Sequence, residues 1–194
     1  MNAAQMINQT SGRVEYYTPA NIIEAARRTM GGIDLDPASS YRANLIVRAT
    51  DYFTEQDDAL GRVWRGRVWM NHPFGRQSNP AWIFNLVDHY RRGLVTQACC
   101  ITFACTSEEW FGPLFDYPMC FLRPRTNYIG PDGKTVRGVT KGSVVTYLGP
   151  HYTDFMENFE PLGKVVFPAS MWRQRALNHT CDLREAVEMA KAST

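Results

Sequence analysis

Long hydrophobic runs are missing from this 194-residue chain. No stretch approaches the roughly 20 apolar residues that a membrane span needs, and the opening MNAAQMINQTSGR lacks the apolar segment of a secretory leader. A cytoplasmic protein is therefore expected. Cysteine is sparse and unpaired. Cys99, Cys100, Cys105, Cys120 and Cys181 make an odd set of five with no C-x-x-C spacing. That disfavours both a disulfide framework and a zinc site, so reduced, mostly buried thiols are expected and no metal ligands are assigned. Excess charge of one sign is also lacking. The 21 basic and 19 acidic residues leave +2, too little for the overall balance to name a nucleic-acid partner. There is no internal repeat, no low-complexity tract, no P-loop, and no nucleophile–base pair suited to hydrolysis.

What is present is an ordinary globular composition, 44% hydrophobic and 21% charged. The polar residues 1–13 read as a flexible lead-in, and 14–194 as a single domain. Thr18-Pro19 predicts a helix start, with Thr18 as N-cap. Ile22, Ile23, Ala26 and Met30 follow at helical spacing, and Gly31-Gly32 stops the run. Ile33 to Pro37 alternates apolar and acidic residues as a short strand. Ala38 to Val47 is compatible with a helix, and Thr54 to Asp58 reads as an acidic loop. Arg67 to Met70 is a strand, Pro80 to Arg92 a helix, and Gln97 to Ala104 a strand buried on both faces. Residues 107–116 look helical. Strands are expected at Met119–Leu122, Ser143–Leu148 and Lys164–Phe167, with a short helix over 183–191. Strands alternating with helices predict a three-layer α/β fold, mostly parallel, with antiparallel C-terminal strands.

The chemistry centres on Trp69-Met70-Asn71-His72-Pro73-Phe74-Gly75. A strand running into Asn-x-Pro-aromatic sets an amide, a rigid turn and a ring at its C-terminal end, where open α/β sheets bind ligands. Such a group can hold a flipped base. The Asn71 side-chain oxygen and the His72 or Pro73 carbonyl accept from an exocyclic amine, and Phe74 stacks on the ring. Asn, Pro and Gly also make ordinary turns. Asp36 ends a short strand, where it can bond a ribose or an amino group, although an acidic turn before proline is the plainer reading. Asp58 lies 13 positions ahead of Asn71 and can accept from an adenine amine or simply face solvent.

Taken in order, these segments resemble the phage-type DNA N-6-adenine methyltransferase (Dam) family. Tyr16-Tyr17-Thr18-Pro19 matches its aromatic-x-Thr-Pro opening, and Ile33 to Ser39 its Ile-Asp-Leu-Asp-Pro-Ala-Ser. Ala43-Asn44 follows, then Tyr52 to Leu60 as Tyr-Phe-Thr-x-x-Asp-Asp-x-Leu. Trp64 and Gly66 then lead into Trp69-Met70-Asn71, with further matches at Trp110-Phe111, Pro131-Asp132-Gly133, Gly142-Ser143 and Tyr147-Leu148-Gly149. The resemblance spans about 14–167. It implies a Rossmann-like fold, S-adenosylmethionine as cofactor, and methyl transfer to adenine N6 in DNA. Asn71, His72, Pro73 and Phe74 would be catalytic. Tyr17, Thr18, Pro19, Asp36, Pro37, Ala38 and Asp58 would lie along the cofactor.

Three departures stand out against the family's Asn-Pro-Pro-Tyr. His72 replaces the first proline, keeping a backbone carbonyl but losing the locked φ. Phe74 replaces tyrosine, losing only a hydroxyl. No glycine-rich cofactor loop is present, since Asp36 to Ser40 contains no glycine. DNA contact is expected from local charge: Arg62, Arg65, Arg67 and Arg76 around the active turn, and Arg123, Arg125, Lys134, Arg137 and Lys141 in a second basic segment. Arg76, Arg125 and Lys141 are the principal candidates. With little room for a separate recognition domain, a short or relaxed target site is expected. The rival readings are a catalytically inactive, DNA-binding relative, and methylation of cytosine N4 or of RNA.

Overall fold

The computed structural model describes residues 16–74, 78–130, 133–136 and 141–171. The expected lead-in over 1–13, the helix over 183–191, Cys181, and the residues Arg76, Pro131, Asp132 and Arg137 lie outside them.

Helix α1 (Ala20–Met30) buries Ile22, Ile23, Ala26 and Met30, the predicted stripe. It stops at Gly31, whose left-handed backbone (φ 73°) lets its N–H reach the Arg27 and Arg28 carbonyls. Its start corrects the prediction. Pro19 holds the N-cap position and no side chain caps the helix. Tyr17 is tied to Ile129 by backbone bonds of 2.8 and 2.9 Å, and the adjacent Thr18 is buried with its hydroxyl unpartnered among the described residues.

Strand β1 (Leu35–Asp36) comes next, and an Asp36 oxygen takes the Ala38 N–H at 3.2 Å. That turn delays helix α2 (Tyr41–Val47), which begins at Ser40, whose Oγ accepts from the Ala43 N–H. After β2 (Asp51–Tyr52), the expected acidic loop closes instead as a 3-10 turn over Glu55–Asp57. The Asp57 carboxylate accepts from both the N–H and the hydroxyl of Thr54, at 2.8 and 2.7 Å. Next come β3 (Gly66–Met70), helix α3 (Asn79–Arg91) and β4 (Val95–Phe103). Glu109–Asp116 is a 3-10 helix enclosing Pro113. Strands β5 (Met119–Leu122), β6 (Ser143–Leu148) and β7 (Gly163–Val166) complete the sheet. An unanticipated helix, α4 (Tyr152–Phe159), buries only Phe155 and Phe159, too few apolar positions to announce itself.

The seven strands run in the order β2-β1-β3-β4-β6-β5-β7. The first four are mutually parallel, and β6, β5 and β7 alternate in direction beyond β4. This is the expected Rossmann-like α/β architecture. Side chains alternate across the sheet. Trp69, Cys99, Ile101 and Phe103 share one core with α1 and α4. Val68, Met70, Ala98 and Cys100 share the other with α3 and the 3-10 helix. Strand β4 is parallel to β3 on one side and antiparallel to β6 on the other, and it is covered on both faces. No described helix is long and apolar enough to cross a membrane.

One expectation about charge fails here. Arg67 lies at the start of β3, at the sheet edge opposite Asn71. Its Nε and Nη2 donate to the two Asp34 carboxylate oxygens at 2.9 and 2.6 Å, and Nη1 donates to the Gly31 carbonyl at 2.7 Å. The guanidinium holds the Asp34 carboxyl below its usual range. Gly66, at φ 73°, is required there, because a Cβ would come within 2.6 Å of Asp34 Oδ2. Arg67 therefore staples β3 to β1 and is not part of the active turn. Arg65, just ahead of β3, shares that edge. Arg67→Met is expected to lower stability by about 1 kcal/mol and to leave DNA affinity unchanged, as urea denaturation and a DNA titration would show.

Candidate active site

The strand order reverses between β1 and β3. From β1 the chain continues through α2 to β2 at the sheet edge; from β3 it continues through α3 to β4 on the other side. Val47, at the end of α2, packs into one core, and α3 lies on the opposite face. The crevice left above the carboxyl ends of β1 and β3 is the switch point at which doubly wound sheets bind ligands. Leu35 pairs in register with Val68, so Asp36 and Asn71 open onto the same rim.

Asn71 is half-buried, and its Nδ2 donates to the Tyr16 carbonyl at 2.9 Å. That bond fixes the amide's orientation and leaves Oδ1 as the group presented. The Tyr16 carbonyl is held in turn by the backbone pairing of Tyr17 with Ile129, so the segment after β5 returns across the carboxyl end of the sheet. An aromatic wall follows from this return. The Tyr128 ring lies 6.2 Å from Tyr16 and 5.8 Å from Phe74, and Phe74 sits 4.4 Å from Phe103. Tyr128 is anchored by a 2.9 Å hydroxyl bond with Ser143. Lys141 Nζ stands 5.7 Å above the Phe103 ring, which brings this basic residue to the wall. Arg125 is exposed three residues before Tyr128 in the same returning segment.

His72 does not face solvent. It is 1% exposed, with Nε2 3.1 Å from Asn79 Oδ1 and its ring edge-on to Phe74 at 5.7 Å. Trp82 forms a further wall at 6.3 Å. Burial pulls the imidazole down to about 4, so it is neutral at pH 7, and Nδ1 has no partner among the described residues. Pro73 is exposed, and its carbonyl accepts from Ser78 Oγ at 3.4 Å.

On the neighbouring strand end, Asp36 is 2% exposed. Burial pushes its carboxyl up to about 7, against the opposing pull of the Ser39 hydroxyl and the Ala38 N–H. No described cation pairs with it. Pro37 is buried beside it, and Phe53 donates its N–H to the Asp36 carbonyl at 3.0 Å. Arg62 lies 5.2 Å over the Phe53 ring and pairs with Asp57 at 3.5 Å. Asp58 is exposed, with a left-handed backbone (φ 45°) and its carbonyl accepting from Gly61. Of the predicted residues, the structure puts His72 in ring contact with Phe74 beside Asn71, brings Tyr17 and Lys141 near them only through Tyr16 and Phe103, and sets Asp36 on the adjoining strand end. Asn79 and Phe103 were missed. Their only sequence signals were an Asn-Pro helix start and the last apolar residue of the strand beside β3.

A doubly wound sheet that opens over a strand-end Asn-x-Pro-aromatic turn, with antiparallel strands beyond, has the architecture of the Rossmann-like methyltransferases. Sequence comparison narrows this class. The model of the DNA N-6-adenine-methyltransferase (Dam) family matches residues 7–159, and the chain belongs to that family. Membership implies a DNA adenine methyltransferase. No curated protein matches the chain.

Buried Asp36 and His72 pull stability in opposite directions with pH. Asp36 keeps a proton in the fold that the unfolded chain releases, so its contribution falls as pH rises from about 4 to 7. It changes by up to about 1.4 kcal/mol per pH unit. His72 refuses a proton that the unfolded chain accepts, so its contribution is lost as pH falls from 6.5 to about 4. Asp36→Asn is expected to be more stable than the parent at pH 8 and to lose that advantage by pH 4. Denaturation across this range measures the difference.

Proposed function

We propose that the chain transfers a methyl group from S-adenosylmethionine to N6 of an adenine turned out of the DNA stack. The observation that carries this reading is the Asn71 amide, whose Nδ2 donates to the Tyr16 carbonyl at 2.9 Å and so leaves Oδ1 to serve as an acceptor. A base presenting an exocyclic amine suits that acceptor.

The residues at the β1 end fit the cofactor. A buried carboxyl without a described cation and a Thr18 hydroxyl with no described partner would both be satisfied by a ligand carrying an ammonium and ribose hydroxyls. When bound, S-adenosylmethionine supplies a methyl group on a cationic sulfur. Asp36, with Pro37 and Ala38 at the turn, would hold it from one side, and Tyr17, Thr18 and Pro19 from the other. Asp58 is the outermost of the expected contacts.

Asn71 Oδ1 and the His72 carbonyl accept the two N6 hydrogens and draw the nitrogen lone pair out of conjugation with the purine. The His72 carbonyl is preferred because that of Pro73 is engaged by Ser78. Phe74 offers the ring on which the base stacks, stiffened from behind by Phe103 and Tyr128. After transfer the extra N6 proton passes to solvent, so no general base is assigned; His72 is buried and neutral and is not needed as one. Arg125 and Lys141, with Arg76, would lie on the phosphates beside the extruded base.

Asn71→Ala is expected to lose at least about a hundredfold in turnover while cofactor affinity, measured by calorimetry, stays within about twofold of the parent. Normal methylation by this variant would refute the assignment. Arg125→Ala and Lys141→Ala should each weaken DNA binding evenly across sequences and reduce the slope of log affinity against log salt by about 1.

A further inference from the structure

We infer that Asn79 is a positioning residue for methyl transfer: through its side-chain bond to His72 it latches the strand-end turn and fixes the carbonyl that receives the adenine amine. The inference rests on the proposed adenine methyl transfer and adds to it a residue outside the Asn-His-Pro-Phe turn.

Position 72 is where the turn's backbone needs constraint. A proline there would fix φ by its ring; histidine leaves φ free. The structure supplies the constraint by another route. The imidazole points away from the crevice, into the space between the turn and α3, and Nε2 meets Asn79 Oδ1 at 3.1 Å in a buried setting. Asn79 is the first residue of α3, a 13-residue helix seated on the core through Ile83, Leu86 and Val87, so the acceptor is mounted on a rigid element. On the other side of residue 72 the chain is fixed as well, because Trp69 and Met70 are paired in register with Cys99 and Cys100 of β4. A residue held by the sheet before it and by its own side chain beyond it has little freedom to swing its carbonyl.

The same latch acts on the stacking ring. The His72 ring stands edge-on to Phe74, while Trp82, one helical turn after Asn79, lies 6.3 Å from His72 on the helix side. One hydrogen bond therefore governs both the carbonyl and one flank of the ring on which the base stacks. Its burial keeps water from competing with it. Without it, a buried ring nitrogen would lose the partner it has, and the cheapest relief is for the turn to open towards solvent.

The test is a double-mutant cycle on full-length protein, with single-turnover methylation of unmethylated DNA as readout. Asn79→Ala is expected to lower the methylation rate about tenfold and to leave cofactor affinity within about twofold. In a His72→Pro background, where the ring constrains φ without a latch, the same Asn79→Ala change should cost less than about twofold. General damage to α3 would persist in that background, so the cycle separates a latch from a merely structural role. Equal losses in both backgrounds overturn the inference, and so does an Asn79→Ala chain that methylates at the parental rate. An inactive His72→Pro chain also overturns it, since the imidazole would then do more than latch. A parent chain that transfers no methyl group refutes instead the reading on which the inference rests.

Discussion

The order of the strands is the constraint on which the rest depends. Because β1 is followed in the sheet by β2 on one side and β3 on the other, the chain leaves the two central strand ends in opposite directions. Among the described residues, neither crossover helix spans the gap between Asp36 and Asn71. That gap is kept narrow by the in-register pairing of β1 with β3 and, at the far edge, by the Asp34–Arg67 staple. The fold thereby creates a crevice with an acid on one lip and an amide on the other before any side chain contributes specificity.

The two lips are organised differently. On the β3 side each residue of the turn is held by a neighbour: Asn71 by Tyr16, His72 by Asn79, and Phe74 by a cluster of aromatic rings. On the proposed function this side is a preorganised acceptor site, with its dipoles aligned before a base arrives. On the β1 side the Asp36 carboxyl is buried without a described cation, and the Thr18 hydroxyl has no described partner. Such groups cost stability in the free protein, and a polar, cationic ligand would recover it. On the proposed function, the rigid acceptors would serve the base and the unsatisfied groups the cofactor.

The sequence already exposed much of this, where a short local pattern carries the physics. The apolar stripe of α1, the buried run of β4 and the strand-to-Asn-x-Pro turn of β3 each depend on neighbours in sequence, and each is where it was expected. What was hidden depends on pairing between distant segments. Thr18 looks like a helix cap because nothing local shows Tyr17 bonded to Ile129, over a hundred residues away. Arg67 looks like part of a basic cluster around the active turn because sequence proximity conceals that the two ends of β3 lie at opposite ends of the sheet's strands. His72 reads only as the loss of proline's locked φ until α3 brings Asn79 to it. Helix α4, with only Phe155 and Phe159 buried, carries too weak a pattern to be read locally.

The most direct test of the account is to incubate the protein with S-adenosylmethionine labelled in its methyl group and unmethylated DNA, and then to identify the labelled nucleoside. The account predicts label in N6-methyladenine. Label in N4-methylcytosine, or none despite measurable cofactor binding, would contradict it.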